Sequence, residues 1–268
     1  MNIGFLRELL REDVGYGDIT TSLLPDKEVN GCVIAKEDMI VSGAIAIEQL
    51  FLEHSVKCER LINDGGDAKK GSIIMRLKGN VREVLTLERT ALNILQRMSG
   101  IATITRQCVD VAGPNVKIAA TRKTILPYLD KMAVIDGGGD PHRWRLDDMF
   151  LIKDNHIKVL GIGDAVRKAR MSFFSKKIEV EVEGIEQAVE AARAGADIIM
   201  LDNMGPKMTR DSVKSMREDG YTGLFEASGN IDPDNLREYA KSGVDIISMG
   251  WLTHSVRSMD ISLDIDGD

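Results

Sequence analysis

Aromatic side chains are scarce in this 268-residue chain, which holds two Trp, four Tyr and six Phe. So few rings give unpaired bases little to stack on. Basic charge is also in deficit: 35 Lys+Arg stand against 42 Asp+Glu, a formal net charge of -7, the reverse of a nucleic-acid-binding footprint. No apolar run reaches the roughly 18 residues that a membrane span needs. The opening segment, MNIGFLRELLRED, mixes charge into an amphipathic helical pattern and lacks a signal-peptide core. These absences imply a cytoplasmic protein with neither nucleic acid nor membrane as partner, in which an anionic ligand must be met by a local basic cluster. Cysteine is sparse as well. Cys32, Cys58 and Cys108 are odd in number and show no metal-ligand or redox spacing, which reads as small buried hydrophobes.

The length accommodates one large or two modest domains, at about 100–200 residues each. The first third mixes element types. A helix is expected near 3–12 and another over Ala44–His54, with β-like runs at Gly31–Ala35, Val56–Ile62 and Ser72–Leu77. Turn residues at Asp64-Gly65-Gly66-Asp67 and Lys78-Gly79-Asn80 separate them. From Val81 a long helical pattern carries Val84, Leu85, Leu92, Leu95, Met98 and Ile101, with a candidate break at Ser99-Gly100 and an end before Gly113-Pro114.

The second half changes rhythm. Strand-like runs at Val116–Ala120, Met149–Ile152, Ile178–Val182, Asp197–Leu201, Gly223–Glu226 and Val244–Ser248 alternate with helical ones at Ile185–Ala194, Pro206–Glu218 and Asp232–Ser242. Such alternation implies a parallel sheet with helices outside it, and its closed form is an α/β barrel. Only about six or seven strands can be counted, fewer than the eight of a standard barrel.

Chemistry in barrels sits at the C-terminal ends of the strands. There this chain places Ala227-Ser228-Gly229-Asn230 and Ser248-Met249-Gly250, small residues whose backbone N–H groups could receive a phosphate. Ordinary strand-to-helix turns have the same composition. Between Arg122 and His156 lie Arg122, Lys123, Lys131, His142, Arg143, Arg145, Lys153 and His156, a cluster suited to a ligand with several anionic groups. For any one of these a solvated surface is the simpler reading. Lys153 is the exception, because it ends the apolar run Phe150-Leu151-Ile152.

In Glu179-Val180-Glu181-Val182-Glu183 the alternation sets three carboxylates on one strand face. Asp202 and Glu226 hold equivalent places on later strands. Carboxylates beside a phosphate site suit Mg2+. Glu181 and Asp202 are the preferred ligands, while Glu179 and Glu183 read equally well as solvated. Gly137-Gly138-Gly139 lacks the spacing of a nucleotide fingerprint and reads as a flexible loop.

Taken in order, Thr121-Arg122-Lys123-Thr124, Gly137-Gly138-Gly139 with His142-Arg143, Leu151-Ile152-Lys153-Asp154-Asn155-His156, Glu179-Val180-Glu181-Val182, Leu201-Asp202-Asn203-Met204 and Glu226-Ala227-Ser228-Gly229-Asn230-Ile231 form a signature. It resembles that of the carboxylating nicotinate-nucleotide pyrophosphorylases, the quinolinate phosphoribosyltransferase family. Glu12-Asp13-Val14-Gly15-Tyr16-Gly17-Asp18-Ile19-Thr20 and Glu88-Arg89-Thr90-Ala91-Leu92-Asn93 extend the likeness to nearly the whole chain.

The resemblance implies an N-terminal α/β sandwich domain (1–112) plus an incomplete α/β barrel (113–268), with the C-terminal end a candidate to return to the first domain. It further implies quinolinate and phosphoribosyl pyrophosphate as substrates, Mg2+ as cofactor, and a homodimer with shared active sites, with assembly beyond a dimer left open. Lys123, Lys153, Glu181 and Asp202 would be catalytic, with Glu181 and Asp202 also holding the metal. Arg89 from the neighbouring subunit, Arg122, His142, Arg143 and Lys153 would bind quinolinate, and Thr121 would also contact substrate. Ser228, Gly229, Asn230, Met249 and Gly250 would cradle the 5′-phosphate. On its residues alone Arg89 is a helix-surface cation paired with Glu88 or Glu83.

One stretch departs from the pattern: Ile125-Leu126-Pro127-Tyr128-Leu129-Asp130 stands where the family usually has Thr-Pro-Gly-Leu-Arg, which exchanges an Arg for an Asp beside a basic site. The alternatives are a molybdenum-transport-associated paralogue with another substrate, an aldolase-like lyase using Lys153 as a Schiff base, and a non-catalytic anion binder.

Overall fold

Helix α1 (Ile3–Val14) buries Leu6 and Leu10, four residues apart on one face, and leaves Arg7 and Arg11 in solvent. Along strand β1 (Glu28–Ala35) burial follows the period of two, with Gly31, Val33 and Ala35 inward. There follow β2 (Met39–Ile40), α2 (Ala44–Glu53), β3 (Lys57–Arg60), β4 (Asp67–Ala68), β5 (Ile73–Asn80) and α3 (Val81–Ala112). Next come β6 (Lys117–Ala120), α4 (Pro127–Asp136), β7 (Phe150–Ile152), α5 (Asp154–Leu160), α6 (Ile162–Ser172), β8 (Ile178–Val182), α7 (Ile185–Ala194), β9 (Ile198–Asp202) and α8 (Pro206–Glu218). The last elements are β10 (Leu224–Ser228), α9 (Leu236–Ala240), β11 (Ile246–Met249), α10 (Trp251–His254) and β12 (Ile261–Ile265). This computed structural model describes residues 3–266.

The chain divides into two compact units, one formed by Met1–Ile104, Ile135–Gly138 and Val256–Asp268, the other by Thr105–Val134 and Gly139–Ser255. In the first, an antiparallel sheet runs β12-β1-β5-β3, so the C-terminal strand pairs with β1. Helix α3 passes Ser99-Gly100 without the expected break. Gly100 is there for space: a Cβ would collide with the backbone carbonyl of Arg257, which runs against the helix. The contact offsets the roughly 1 kcal/mol by which a mid-helix glycine lowers helix stability.

The second unit holds a six-stranded parallel sheet in the order β6-β11-β10-β9-β8-β7. Its central strand β9 is an apolar run, as burial on both faces demands, with Ile198 to Leu201 all buried, whereas β8 and β10 carry glutamates among their apolar residues. Helices such as α7, which buries Ala188 and Ala191, alternate with the strands. Outside β6, Asp140 makes a single parallel bridge to Ala119, adding a partial seventh place. The sheet is therefore an incomplete α/β barrel.

The triple glycine is not a loose loop. A Cβ on Gly139 would lie 2.7 Å from Thr105 Cγ2 and 2.8 Å from Val134 Cγ1. Gly138, just past the end of α4, has φ +91°, the left-handed conformation, and its N–H donates to Ile135 O.

Candidate active site

Parallel strands bring their C-terminal ends to one edge, and the side chains there converge on a cleft of about 540 Å³. It gathers Thr121, Arg122 and Lys123 after β6, His142 and Arg143 from the turn beyond Asp140, and Lys153 after β7. Glu181 of β8, Asp202 of β9 and Ser228-Gly229-Asn230 at the end of β10 complete it. Three expected residues are not among the lining side chains. Arg89 is exposed on α3, and its expected partner Glu83 instead accepts from His54. Met249 is fully buried in the barrel core, which leaves only its backbone for a ligand. Gly250 gives Lys123 room, since a Cβ there would lie 3.2 Å from Lys123 Cδ.

The Lys153 ammonium donates to Glu181 Oε2. Burial, followed by the neighbouring Glu181 charge, raises the pKa of Asp202, while its Oδ2 accepts from Asn203 Nδ2 at 2.6 Å. Asn203 and Asn230 both adopt positive φ, 54° and 51°, and flank Gly229 at φ +93°. Left-handed residues in such turns point successive N–H groups into one concavity, which suits an anion.

The floor of the cleft carries a cluster that sequence reasoning missed. His142 Nε2 lies 3.1 Å from Glu226 Oε2 and 3.4 Å from Glu179 Oε2, and both carboxylates are fully buried. Glu179 is thus not a solvated strand-end residue; only Glu183 is exposed. Burial and the Glu226 charge raise the Glu179 pKa. The three ligand atoms lie within 4.8 Å of one another, a spacing compatible with a metal. However, His142 Nδ1 accepts the Arg143 N–H at 2.8 Å, which places the proton on Nε2, and the ring donates it to Glu226 Oε2 at 3.1 Å. With both nitrogens engaged, His142 offers the cleft its ring edge.

Two further expectations change. Lys131 is fully buried, not solvated, and its Nζ donates to the carbonyls of Pro141 and Arg143. Asp130, the departure from the family pattern, is buried in α4 and accepts from Thr124 Oγ1, so its charge does not line the cleft. Asn203, Met200, Leu151 and Ser248 also line it. Of these, Asn203 had a readable signal, a strand end followed by Asn.

Family models for the quinolinate phosphoribosyl transferase N-terminal and C-terminal domains match residues 18–99 and 101–264. The chain belongs to the quinolinate phosphoribosyltransferase family. A probable carboxylating nicotinate-nucleotide pyrophosphorylase of Methanocaldococcus jannaschii is 48% identical over 97% of this chain and 95% of its own length. One from Bacillus subtilis is 42% identical over 97% and 92%. Among solved structures, the nicotinate-nucleotide pyrophosphorylase of Ehrlichia chaffeensis superposes with a TM-score of 0.93 at 38% identity, covering 99% of each chain. Among the described residues no helix is long and apolar enough to cross a membrane.

Proposed function

We infer that the chain transfers the phosphoribosyl group of phosphoribosyl pyrophosphate to quinolinate with decarboxylation, giving nicotinate mononucleotide, pyrophosphate and carbon dioxide in de novo NAD biosynthesis. The observation that carries this reading is a single cleft joining four cations, Arg122, Lys123, Arg143 and Lys153, to the carboxylates of Glu181 and Asp202 and a positive-φ turn.

Arg122, Arg143 and Lys153, with Arg89 of the partner subunit, take the two pyridine carboxylates; the planar Arg fork suits a carboxylate in two-point contact. Thr121 and the His142 ring edge line this part of the site. Backbone N–H groups of Ser228, Gly229, Asn230, Met249 and Gly250 receive the 5′-phosphate, and Lys123 faces the pyrophosphate.

The ring nitrogen bonds to C1′ of the ribose as the C1′–O bond to pyrophosphate breaks. Glu181 and Asp202 stabilise the cationic ribosyl centre between the two. In the resulting pyridinium the C2–carboxylate bond breaks, its electron pair stays on C2, carbon dioxide leaves, and C2 takes up a proton.

Glu181 and Asp202 also fit Mg2+. Both offer hard oxygen ligands in the same cleft, and the Asp202 pKa is raised by burial and by the nearby Glu181 charge. When bound, the ion offsets the charge of the departing pyrophosphate. The reading includes a homodimer, in which Arg89, exposed on α3, would reach the partner's site, and a cytoplasmic setting, where Cys32, Cys58 and Cys108 remain free thiols.

Product analysis with quinolinate, phosphoribosyl pyrophosphate and Mg2+ tests this. Nicotinate mononucleotide and carbon dioxide in equal amounts are expected. Absence of a nucleotide product, or equal kcat/KM with nicotinate, would overturn it.

A further inference from the structure

The turn Pro141–Arg145 belongs to no helix or strand, and two of its carbonyls, those of Pro141 and Arg143, take a side-chain partner. It also holds a conformation that L residues seldom adopt, since His142 has φ +52°. Three restraints meet there. Asp140 Oδ1 accepts the His142 N–H at 2.7 Å, Arg143 N–H donates to His142 Nδ1 at 2.8 Å, and the ring is anchored on Glu226 and Glu179.

The fourth restraint comes from the opposite side. Lys131 on α4 is fully buried, and its Nζ donates to Arg143 O at 2.6 Å and to Pro141 O, bracketing His142. A buried ammonium is costly, and a leucine on the inner face of α4 would have been the cheaper choice. Burial and the Arg122 charge lower its pKa to about 8, which leaves it protonated and able to donate twice at neutral pH. Its position gives it a second effect: a fixed positive charge lies behind Arg122 and Arg143, where a dicarboxylate would bind.

We propose that Lys131 is a positioning residue for quinolinate, tying both carbonyls of the strained turn so that the Arg143 guanidinium is held ready for a pyridine carboxylate. The proposal rests on the reading of Arg143 as a quinolinate contact. It makes Lys131 act through Arg143, and it assigns no part in holding the ribosyl donor.

The test is a double-mutant cycle in the full-length protein, with KM measured for each substrate. Lys131→Met should raise the quinolinate KM on the order of tenfold, while the KM for phosphoribosyl pyrophosphate stays within about twofold. In an Arg143→Ala background the same substitution should change the quinolinate KM by less than about twofold, because the group it positions is gone. Equal rises in both KM values, or full additivity with Arg143→Ala, would overturn the proposal. If Lys131→Met does not fold, Lys131→Gln, a shorter side chain with a neutral N–H donor group, should give an intermediate quinolinate KM; a wild-type value would equally overturn the proposal. If Arg143→Ala itself leaves quinolinate binding unchanged, the site reading fails first, an outcome distinct from an inert Lys131 beside an active Arg143.

Discussion

Asn230 Nδ2 donates to Asn203 Oδ1 across 3.0 Å, and so joins the loops that follow β10 and β9. Asn203 N–H in turn donates to Ser228 O at 2.8 Å. The two loops are one unit, with Gly229 wedged between them.

Gly229→Ala should therefore damage the phosphate end of the cleft selectively. The new Cβ would overlap the Asn203 side chain, and φ +93° is strained for alanine at about 1–3 kcal/mol. We expect the KM for phosphoribosyl pyrophosphate to rise about tenfold, with quinolinate binding less affected, in steady-state kinetics that vary each substrate in turn.

Arg89→Ala should abolish turnover while leaving thermal stability within about 0.5 kcal/mol, since the side chain is exposed. Mixed with inactive Lys153→Ala protein, it should regain part of the activity, because a mixed dimer holds one site with both residues intact. Heterodimers that form without any recovery would argue against shared sites.

Asp136 gives a pH signature in the first unit. Burial raises its pKa to about 6, with the Asp64 charge adding to this and the hydrogen bond from Ser42 Oγ partly opposing it. The folded state thus binds this proton more tightly than the unfolded chain. Its stabilising contribution is complete below the unfolded value near 3.8 and is lost as pH rises through about 6. In paired melting curves, Asp136→Asn should gain in Tm relative to wild type from pH 4 to pH 7; a constant difference would contradict this.

Gly100→Ala should invert the usual rule for helices. Alanine in a helix interior normally stabilises by up to about 1 kcal/mol, but here its methyl group meets the Arg257 carbonyl. A loss of about 1–3 kcal/mol in chemical denaturation is expected.

Strand-by-strand alternation was legible because buried parallel strands read as apolar runs, and the site strands ended where polar residues began. Glu179 and Lys131 were not. Each looks solvated by residue type, and its burial depends on partners from distant segments, His142 for one and the Pro141 and Arg143 carbonyls for the other. Gly100 and Gly139 misled for a related reason. Their sequence suggests flexibility, whereas each is fixed by another part of the chain passing too close for a side chain.

The pairing of β12 with β1 bears on how this chain emerges from the ribosome. Synthesis is vectorial, and domains fold as their sequence becomes available. The barrel unit needs nothing beyond Ser255, whereas β1, made among the first strands, has its partner more than two hundred residues downstream at Ile261–Ile265. During translation β1 waits with an open edge, and a message truncated shortly before that last strand would release a finished barrel attached to an unfinished sheet.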